Sequence, residues 1–567
     1  CDVVTGGTGA AAMLEQLYRS GLFLETLDVH RTQFRYQRLF GEFLRHQLHL
    51  VDPGRERKAR LAAAGWYEEH EDITAAIHHL LAVDEASEAV QLVLRHGEHF
   101  AASDRIAEVR TWMRLLPDHA LTDDLRQMME VGRLCVMTGL RDEALMWLDR
   151  AAWRVNSLAD PALTAELSLL RIYVRAHRGQ LEAATRESEV ALEAAAEAAE
   201  VDPTLLARIH HITAAVHAAL DQVDGARWHR DAAPRTDEND LLDTYSAWLS
   251  YRMGNLERAL EHAADGLARS EVPWYWSTCR LTKGAVLRER NQLDQAEAEL
   301  VEARTLAQRW SRPLISVLAA MELAQIRGAQ GRVGEALDIL AEARTGTDGT
   351  NLRQRLDVTQ ASLLLAQGDM ERCLLLRREL SSGRETALLD IRLALTAGQI
   401  NQAIELLEGK FEAMAQSTQD RISARLLQAR ARVTIDESAA LANLRAAVDL
   451  GRPEGFVQVF APDLAPLEPL LRRLAADNDD PYLFSLLAAT AETRSDPVVV
   501  PAMVEALSTR EQIVLRYLPT ALSNKEIAAQ LHVSVNTLKS HLKNINRKLG
   551  TSSRIEAVSA ARGLRLL

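Results

Sequence analysis

One short pattern of turn, apolar and small residues recurs through the middle of this chain. A turn residue is followed two places on by an aliphatic residue or Met, and five places on by a small residue. Gly179, Leu181 and Ala184 carry it, as do Gly254, Leu256 and Ala259, then Asn291, Leu293 and Ala296, then Gly331, Val333 and Ala336. Gly368, Met370 and Cys373 continue it, followed by Gly398, Ile400 and Ala403, and looser copies start at Gly139 and Asp221. Neighbouring starts are 30 to 42 residues apart, the period of a helix–turn–helix repeat. The chemistry suits that unit. Gly or Asn ends the first helix in the left-handed conformation. The aliphatic residue packs under the turn, and the small one lets the second helix approach its neighbour. One such pair cannot bury its apolar face, so the pairs are predicted to stack into a superhelix with a concave surface. A bundle of unrelated helical hairpins is the alternative that the regular spacing disfavours.

The two ends differ in texture. Near the N-terminus, residues 10–19 read as a helix, 22–28 and 34–36 as strands joined by a turn at 29–33, and 39–48 as a helix. That helix places Phe40, Phe43, Leu44 and Leu48 on one face. Helix, hairpin and helix together suggest a winged-helix unit. Near the C-terminus, residues 491–501 form a linker whose two prolines interrupt helix. Four helices are predicted after it. Three of them open on a capping box, Ser508 with Glu511, Ser523 with Glu526 and Ser553 with Glu556. The second runs from about 524 to 531, a tight turn follows at 532–534, and the third runs from Val535 to near Leu549, where Gly550 caps it. Ser534 caps this third helix, but Thr537 stands where the box would place Glu.

The third helix divides cleanly at about 100° per residue. Leu538, Leu542, Ile545 and Leu549 form a core stripe. Asn536, Lys539, Ser540, Lys543, Asn544 and Arg547 lie on the polar side, with His541 and Lys548 on the flanks, and the helix has no acid at all. A solvated helix face normally mixes Glu with Lys. Lys and Asn present donors suited to guanine and adenine edges.

Charge sharpens this picture. The chain of 567 residues carries a net charge of −13, yet from Glu505 onward ten Lys/Arg stand against four Asp/Glu. The last segment is therefore at +6 and the rest at −19. Polyanion binding is expected at the C-terminus only. Four cysteines, far apart and without a CxxC pair, fit a reducing cytosol and argue against a disulfide framework or structural zinc. No apolar run is long enough to span a bilayer. The glycines at 6, 7 and 9 are read as a turn, because no Walker-type phosphate loop occurs in the chain. No nucleophile triad, paired carboxylates or metal-ligand spacing stands out, so no catalysis is expected here and no metal site. Seven of the eighteen Trp and Tyr residues fall within residues 228–276. Among them Trp248, Tyr251, Trp274, Tyr275 and Trp276 are candidates for binding an effector on the concave surface. The alternative is that these rings fill packing positions between repeats.

Residues 507–567, with Leu507, Ser508, Glu511, Lys525, Glu526, Val535, Lys539, His541 and Gly550 in place, resemble the LuxR-type helix-turn-helix. That resemblance implies Lys539, Ser540 and Lys543 as base readers, and Lys525, Asn536, Thr537 and Arg547 as backbone contacts. It also implies that a fourth helix, about 554–562, pairs two domains over a two-fold DNA site. Leu538 stands where the family usually has Val. The run from Phe34 through Tyr36, Phe40, Phe43 and Leu44 to Leu48 resembles the segment that closes the nucleotide-binding module of the large MalT-like regulators. The resemblance implies a mainly α chain: a winged-helix remnant over 1–50, a helical linker over 51–120, a TPR-like superhelical sensor over 121–490, a linker at 491–502 and a four-helix LuxR-type domain over 503–567. It implies double-stranded DNA, a small-molecule or protein effector, self-association on DNA and RNA polymerase as partners, with a cytoplasmic location and no membrane. An ATPase core binding ATP and magnesium would lie upstream of Cys1, outside this chain. An interaction scaffold tethered to DNA is the alternative function. A phosphorelay regulator is disfavoured, because the helical repeats stand where its receiver domain would be.

Overall fold

The computed structural model describes the chain except residues 31, 104, 118–123, 201, 221, 235, 237–239, 270–272, 346–349, 412–413, 477–479, 494–506, 519–523, 532, 550–556 and 558–567. It divides into two units, one of residues Cys1–Gly328 and Arg332–Leu483, the other of Phe484–Leu567 with Ala329–Gly331. Among the described residues the only sheet is a two-stranded one at the N-terminus; nearly everything else is helix.

The N-terminal region begins with the short helix Asp2–Thr5 and helix Ala10–Arg19, then strands Leu24–Thr26 and Phe34–Tyr36, then helix Arg38–Val51. The strands pair antiparallel, with Leu24 opposite Tyr36 and Thr26 opposite Phe34. The first strand starts later than residue 22 because Phe23 adopts a positive φ of 51°, which extended backbone cannot accommodate. Phe40 gathers the aromatic rings, with Phe23 at 5.1 Å and Tyr36 at 5.7 Å between centroids. Phe43, expected on the same packed face, is exposed instead. The glycines near the start serve as the expected turn: Gly6 ends a short helix at φ 65° and Gly9 precedes the next at φ 94°.

The repeat pattern translates into backbone geometry almost position by position. Gly139, Gly179, Gly254, Asn291, Gly331, Gly368 and Gly398 all have φ between 60° and 84°; Asp221 lies outside the described residues. Five places after each start stand Ala144, Ala184, Ala226, Ala259, Ala296, Ala336, Cys373 and Ala403, all fully buried. Each marks where the second helix crosses its neighbour too closely for a larger side chain. The residues two places on are buried at Leu181, Val223 and Leu256 and half-buried at Leu293, Val333, Met370 and Ile400. The same arrangement occurs twice within residues 51–120. Glu71 and Asp84 have φ of 59° and 60°, and Ala76 and Ala89, five places on, are fully buried.

Stacked pairs coil until one superhelical turn meets the next. Hydrogen bonds cross this seam between residues 135 to 201 apart in sequence, about four repeats of this length. Arg110 and Arg141 donate to Ser311 (2.7 and 2.6 Å), Arg312 to His177 (3.3 Å) and Arg355 to the Ala219 carbonyl (3.2 Å). Farther along, the Val457 and Gln458 amides both donate to the Glu289 carbonyl, at 2.8 and 3.0 Å. Two of the turn glycines serve the seam as well as the turn. A Cβ on Gly139 would lie 2.3 Å from the Ser311 Cβ, and one on Gly254 would lie 2.6 Å from the Thr418 Cβ.

These two functions of glycine separate in mutants. Gly368 has the same φ of 84° as Gly254 but open space where a Cβ would stand. Gly368→Ala should cost about 1–2 kcal/mol, the left-handed penalty alone. Gly254→Ala adds an overpacking cost of about 1–3 kcal/mol. Urea denaturation of both variants checks this, and equal midpoints would contradict the double role assigned to Gly254.

Candidate nucleic-acid interface

The C-terminal unit builds its exposed helix on a small apolar core. Helix Thr509–Tyr517 opens on the expected capping box: the Ser508 amide donates to Glu511 Oε2 at 2.7 Å, and the Glu511 amide donates to Ser508 Oγ at 3.3 Å. Helix Asn524–Gln530 follows, then helix Val535–Leu549. Ser534 caps the latter by accepting from the Thr537 amide at 3.0 Å, and the two hydroxyls are 2.7 Å apart. Thr537 thus completes a charge-free cap where Glu would bring an anion. The expected boxes at Ser523 and Ser553, the Gly550 cap and the fourth helix lie outside the described residues. Ala557 is the exception, and it is buried in the same core.

The third helix presents the two faces expected. Leu538, Ile545 and Leu549 are buried among Val514, Leu515, Leu518 and Ile527, and Leu542 packs against them partly exposed. On the other side Asn536, Thr537, Lys539, Ser540, Lys543, Asn544 and Arg547 are all exposed. Lys543 lies four residues after Lys539 and three after Ser540, spacings that set it beside both on the helix surface. Ser540 Oγ donates to the Asn536 carbonyl at 3.1 Å, which fixes its rotamer and leaves its lone pairs outward. Lys525, on the second helix, is exposed. His541 is half-buried, at the margin between the two faces.

Lys548 departs from the expected flank position. It is buried, and its Nζ donates to Glu511 Oε2 at 3.0 Å. The third helix is thereby tied to the capping box of the first. Burial acts to raise the Glu511 pKa. The Ser508 amide and the Lys548 ammonium outweigh it and hold the carboxyl below its ordinary value of 4.5. Lys548 borders the apolar stripe of a helix that offers it no acid of its own, and its partner stands 37 residues away, out of reach of any local pattern.

The aromatic candidates fare differently. Trp248 and Tyr251 are buried, at 6% and 2% exposure, which corrects their assignment as ligand-facing rings. They are three residues apart on helix Asp240–Met253, so they share the face that packs against its neighbours. Their rings are 5.1 Å apart. Tyr251 also accepts from Arg288 at 3.2 Å, beside Glu322, in a buried polar network that occupies its hydroxyl. Tyr275 and Trp276 are half-buried and engaged by neighbours. The Trp274 side chain is outside the described atoms. Among the described rings of this region Trp228 is exposed, packed edge-on against His229 at 4.7 Å.

Comparison with known families now identifies the parts. The model for "Bacterial regulatory proteins, luxR family" matches residues 505–561. That for "MalT-like TPR region" matches residues 255–477, and that for "MalT winged helix domain" matches residues 1–56. Among the described residues no helix is long and apolar enough to cross a membrane, and no cluster of three His, Cys, Asp or Glu residues is placed to hold a metal.

The buried pair makes a pH prediction. Glu511 is ionised and paired in the fold, so its contribution is present above the unfolded value of 4.5 and is lost as pH falls through the lower folded value. Lys548→Met should remove about 2 kcal/mol at neutral pH and flatten the acid limb. Denaturation of the C-terminal unit between pH 3 and 7, followed by Tyr517 fluorescence, checks both effects. An unchanged acid limb would show that another carboxylate controls it.

Proposed function

We propose that this chain, a DNA-binding transcription regulator of the MalT-like LuxR type by its three matched regions, is an activator switched by an effector held in its superhelix. The observation that carries the DNA half of this reading is the exposed, acid-free face of helix Val535–Leu549. An acid-free stripe of Lys, Asn and Ser can lie in a major groove without facing phosphate with like charge. Lys539, Ser540 and Lys543 are read as the base contacts. Lys525, Asn536, Thr537 and Arg547 are read as backbone contacts that set register.

The acidic remainder of the chain opposes binding by the C-terminal unit acting alone. Assembly of several copies answers that opposition, because each added unit binds at high effective concentration. An effector that prefers the assembling conformation shifts the population toward it. RNA polymerase is the natural further partner for such an activator, in the cytoplasm where its DNA lies.

The test is a DNA-shift titration against sites selected from random sequence. Lys539→Ala with Lys543→Ala should weaken specific binding at least ten-fold, since each good base contact contributes about 1–3 kcal/mol, with the circular dichroism unchanged. Lys525→Ala should weaken all sequences alike and lower the salt slope by about one. Thr537→Glu should improve the cap and still weaken DNA binding. Unchanged affinity in the double lysine variant would favour the scaffold reading instead.

A further inference from the structure

A cavity of about 490 Å³ opens along the superhelical seam. Its wall comes from segments far apart in sequence: the turn after helix Pro203–Ala219, the first turns of helix Thr350–Ala366, the loop before helix Arg384–Thr396, and residues 414–416. A ligand there would touch two successive superhelical turns at once. No aromatic ring lines it, and Ala219, Leu220 and Met414 are its apolar part. The rest is amide, hydroxyl and charge, unsuited to a flat or greasy ligand.

Three features of the wall favour an oxyanion. Arg355 is nine-tenths buried. One end of its guanidinium donates to the Ala219 carbonyl, while Nε has no hydrogen bond among the described residues and stands 3.8 Å from Glu385. Helix Arg384–Thr396 begins in the wall behind Gly383, which has no side chain to accept from the first helical amides. Such an end attracts anions. Ser381 and Ser382 stand beside it with exposed hydroxyls.

The charges nearby are not balanced. The carboxylates of Asp420 and Glu385 face Arg384, the first in a direct hydrogen bond and the second at 3.6 Å. Asp224, on the opposite wall, has Arg227 at 3.8 Å. Arg355 and Arg252 add two further cations to the Arg384 side. Burial, and then repulsion from Arg355 and Arg384, push the Arg252 pKa down to about 9. Bound negative charge would relieve that repulsion. Asn351 Oδ1 accepts no hydrogen bond among the described residues. Gln222 Oε1 pairs with His217 Nδ1 at 2.6 Å and Gln354 Nε2 donates to the Ser381 carbonyl at 3.2 Å, so Gln222 Nε2 and Gln354 Oε1 are the amide atoms suited to hydroxyl groups.

We propose that this seam cavity is the effector site and that it takes a small polyhydroxylated oxyanion, its phosphate or carboxylate on Arg355 and the start of helix Arg384–Thr396. The inference rests on the effector reading of the superhelix and names its ligand class. Binding would clamp one superhelical turn to the next, which gives the effector a mechanical route to bias assembly.

The test uses the full chain without DNA, titrated calorimetrically with glucose 6-phosphate, gluconate and glucose at matched ionic strength. A saturable signal with glucose 6-phosphate or gluconate, and at least ten-fold weaker binding of glucose, is expected. Which of the two anions binds more tightly distinguishes a phosphate from a carboxylate ligand. Arg355→Gln should abolish the signal. Ser382→Asp, an exposed change that puts an acid at the same spot without touching the core, should weaken anion binding at least ten-fold with an unchanged melting temperature. The proposal is overturned if neither anion binds, if glucose binds as tightly, or if Ser382→Asp binds like the unaltered chain. Because DNA is absent, those failures leave the DNA-reading assignment standing. Loss of DNA binding's dependence on Lys539 and Lys543 would overturn that assignment without touching this one.

Discussion

Two helices can fold back on each other tightly only if the chain reverses in few residues and something small lies beneath the crossing. In this chain both conditions are met by one spacing. A left-handed residue ends the first helix, and a fully buried Ala or Cys stands five places later. Repeated with little variation, that unit fixes the angle between successive pairs. The angle, accumulated over about four repeats, brings Ser311 to Gly139 and Thr418 to Gly254. The seam and the cavity within it are both consequences of that small reversal.

The seam converts a quasi-one-dimensional stack into a structure with long-range contacts. A simple solenoid couples only nearest neighbours. Here Arg355 reaches the Ala219 carbonyl and the Val457 and Gln458 amides reach Glu289, so repeats distant in sequence are held to one another directly. Distant coupling of this kind is what the proposed effector response requires, because a ligand bound between two superhelical turns shifts a population only if its contacts differ between two arrangements.

Much of this was legible in the sequence, for an identifiable reason. Turn glycines followed by a small residue encode backbone conformation locally, and so do the Ser508–Glu511 box and the stripe of three leucines and one isoleucine on the third DNA-domain helix. Local rules sufficed there. They failed where partners come from afar. The turns at Glu71 and Asp84 use left-handed residues other than Gly or Asn and so gave no signal. Trp248 and Tyr251 could be counted as an aromatic cluster, but which way they face depends on the helices packed around their own. The Lys548–Glu511 pair joins residues 37 apart, and the seam joins residues more than a hundred apart; no window of sequence contains either. The exposed face of helix Val535–Leu549, by contrast, is a property of one helix alone, so the exposure of Lys539, Ser540 and Lys543 could be read from its periodicity.

On the function proposed above, this face of helix Val535–Leu549 reads base edges in the major groove. Methylation interference on a selected DNA site tests it most directly, because methylation of guanine N7 blocks the major groove and methylation of adenine N3 blocks the minor groove. N7 methylation at a few guanines in each half-site is expected to abolish binding, while N3 methylation at neighbouring adenines leaves it intact. Interference confined to adenine N3 would place the protein in the minor groove and contradict the account.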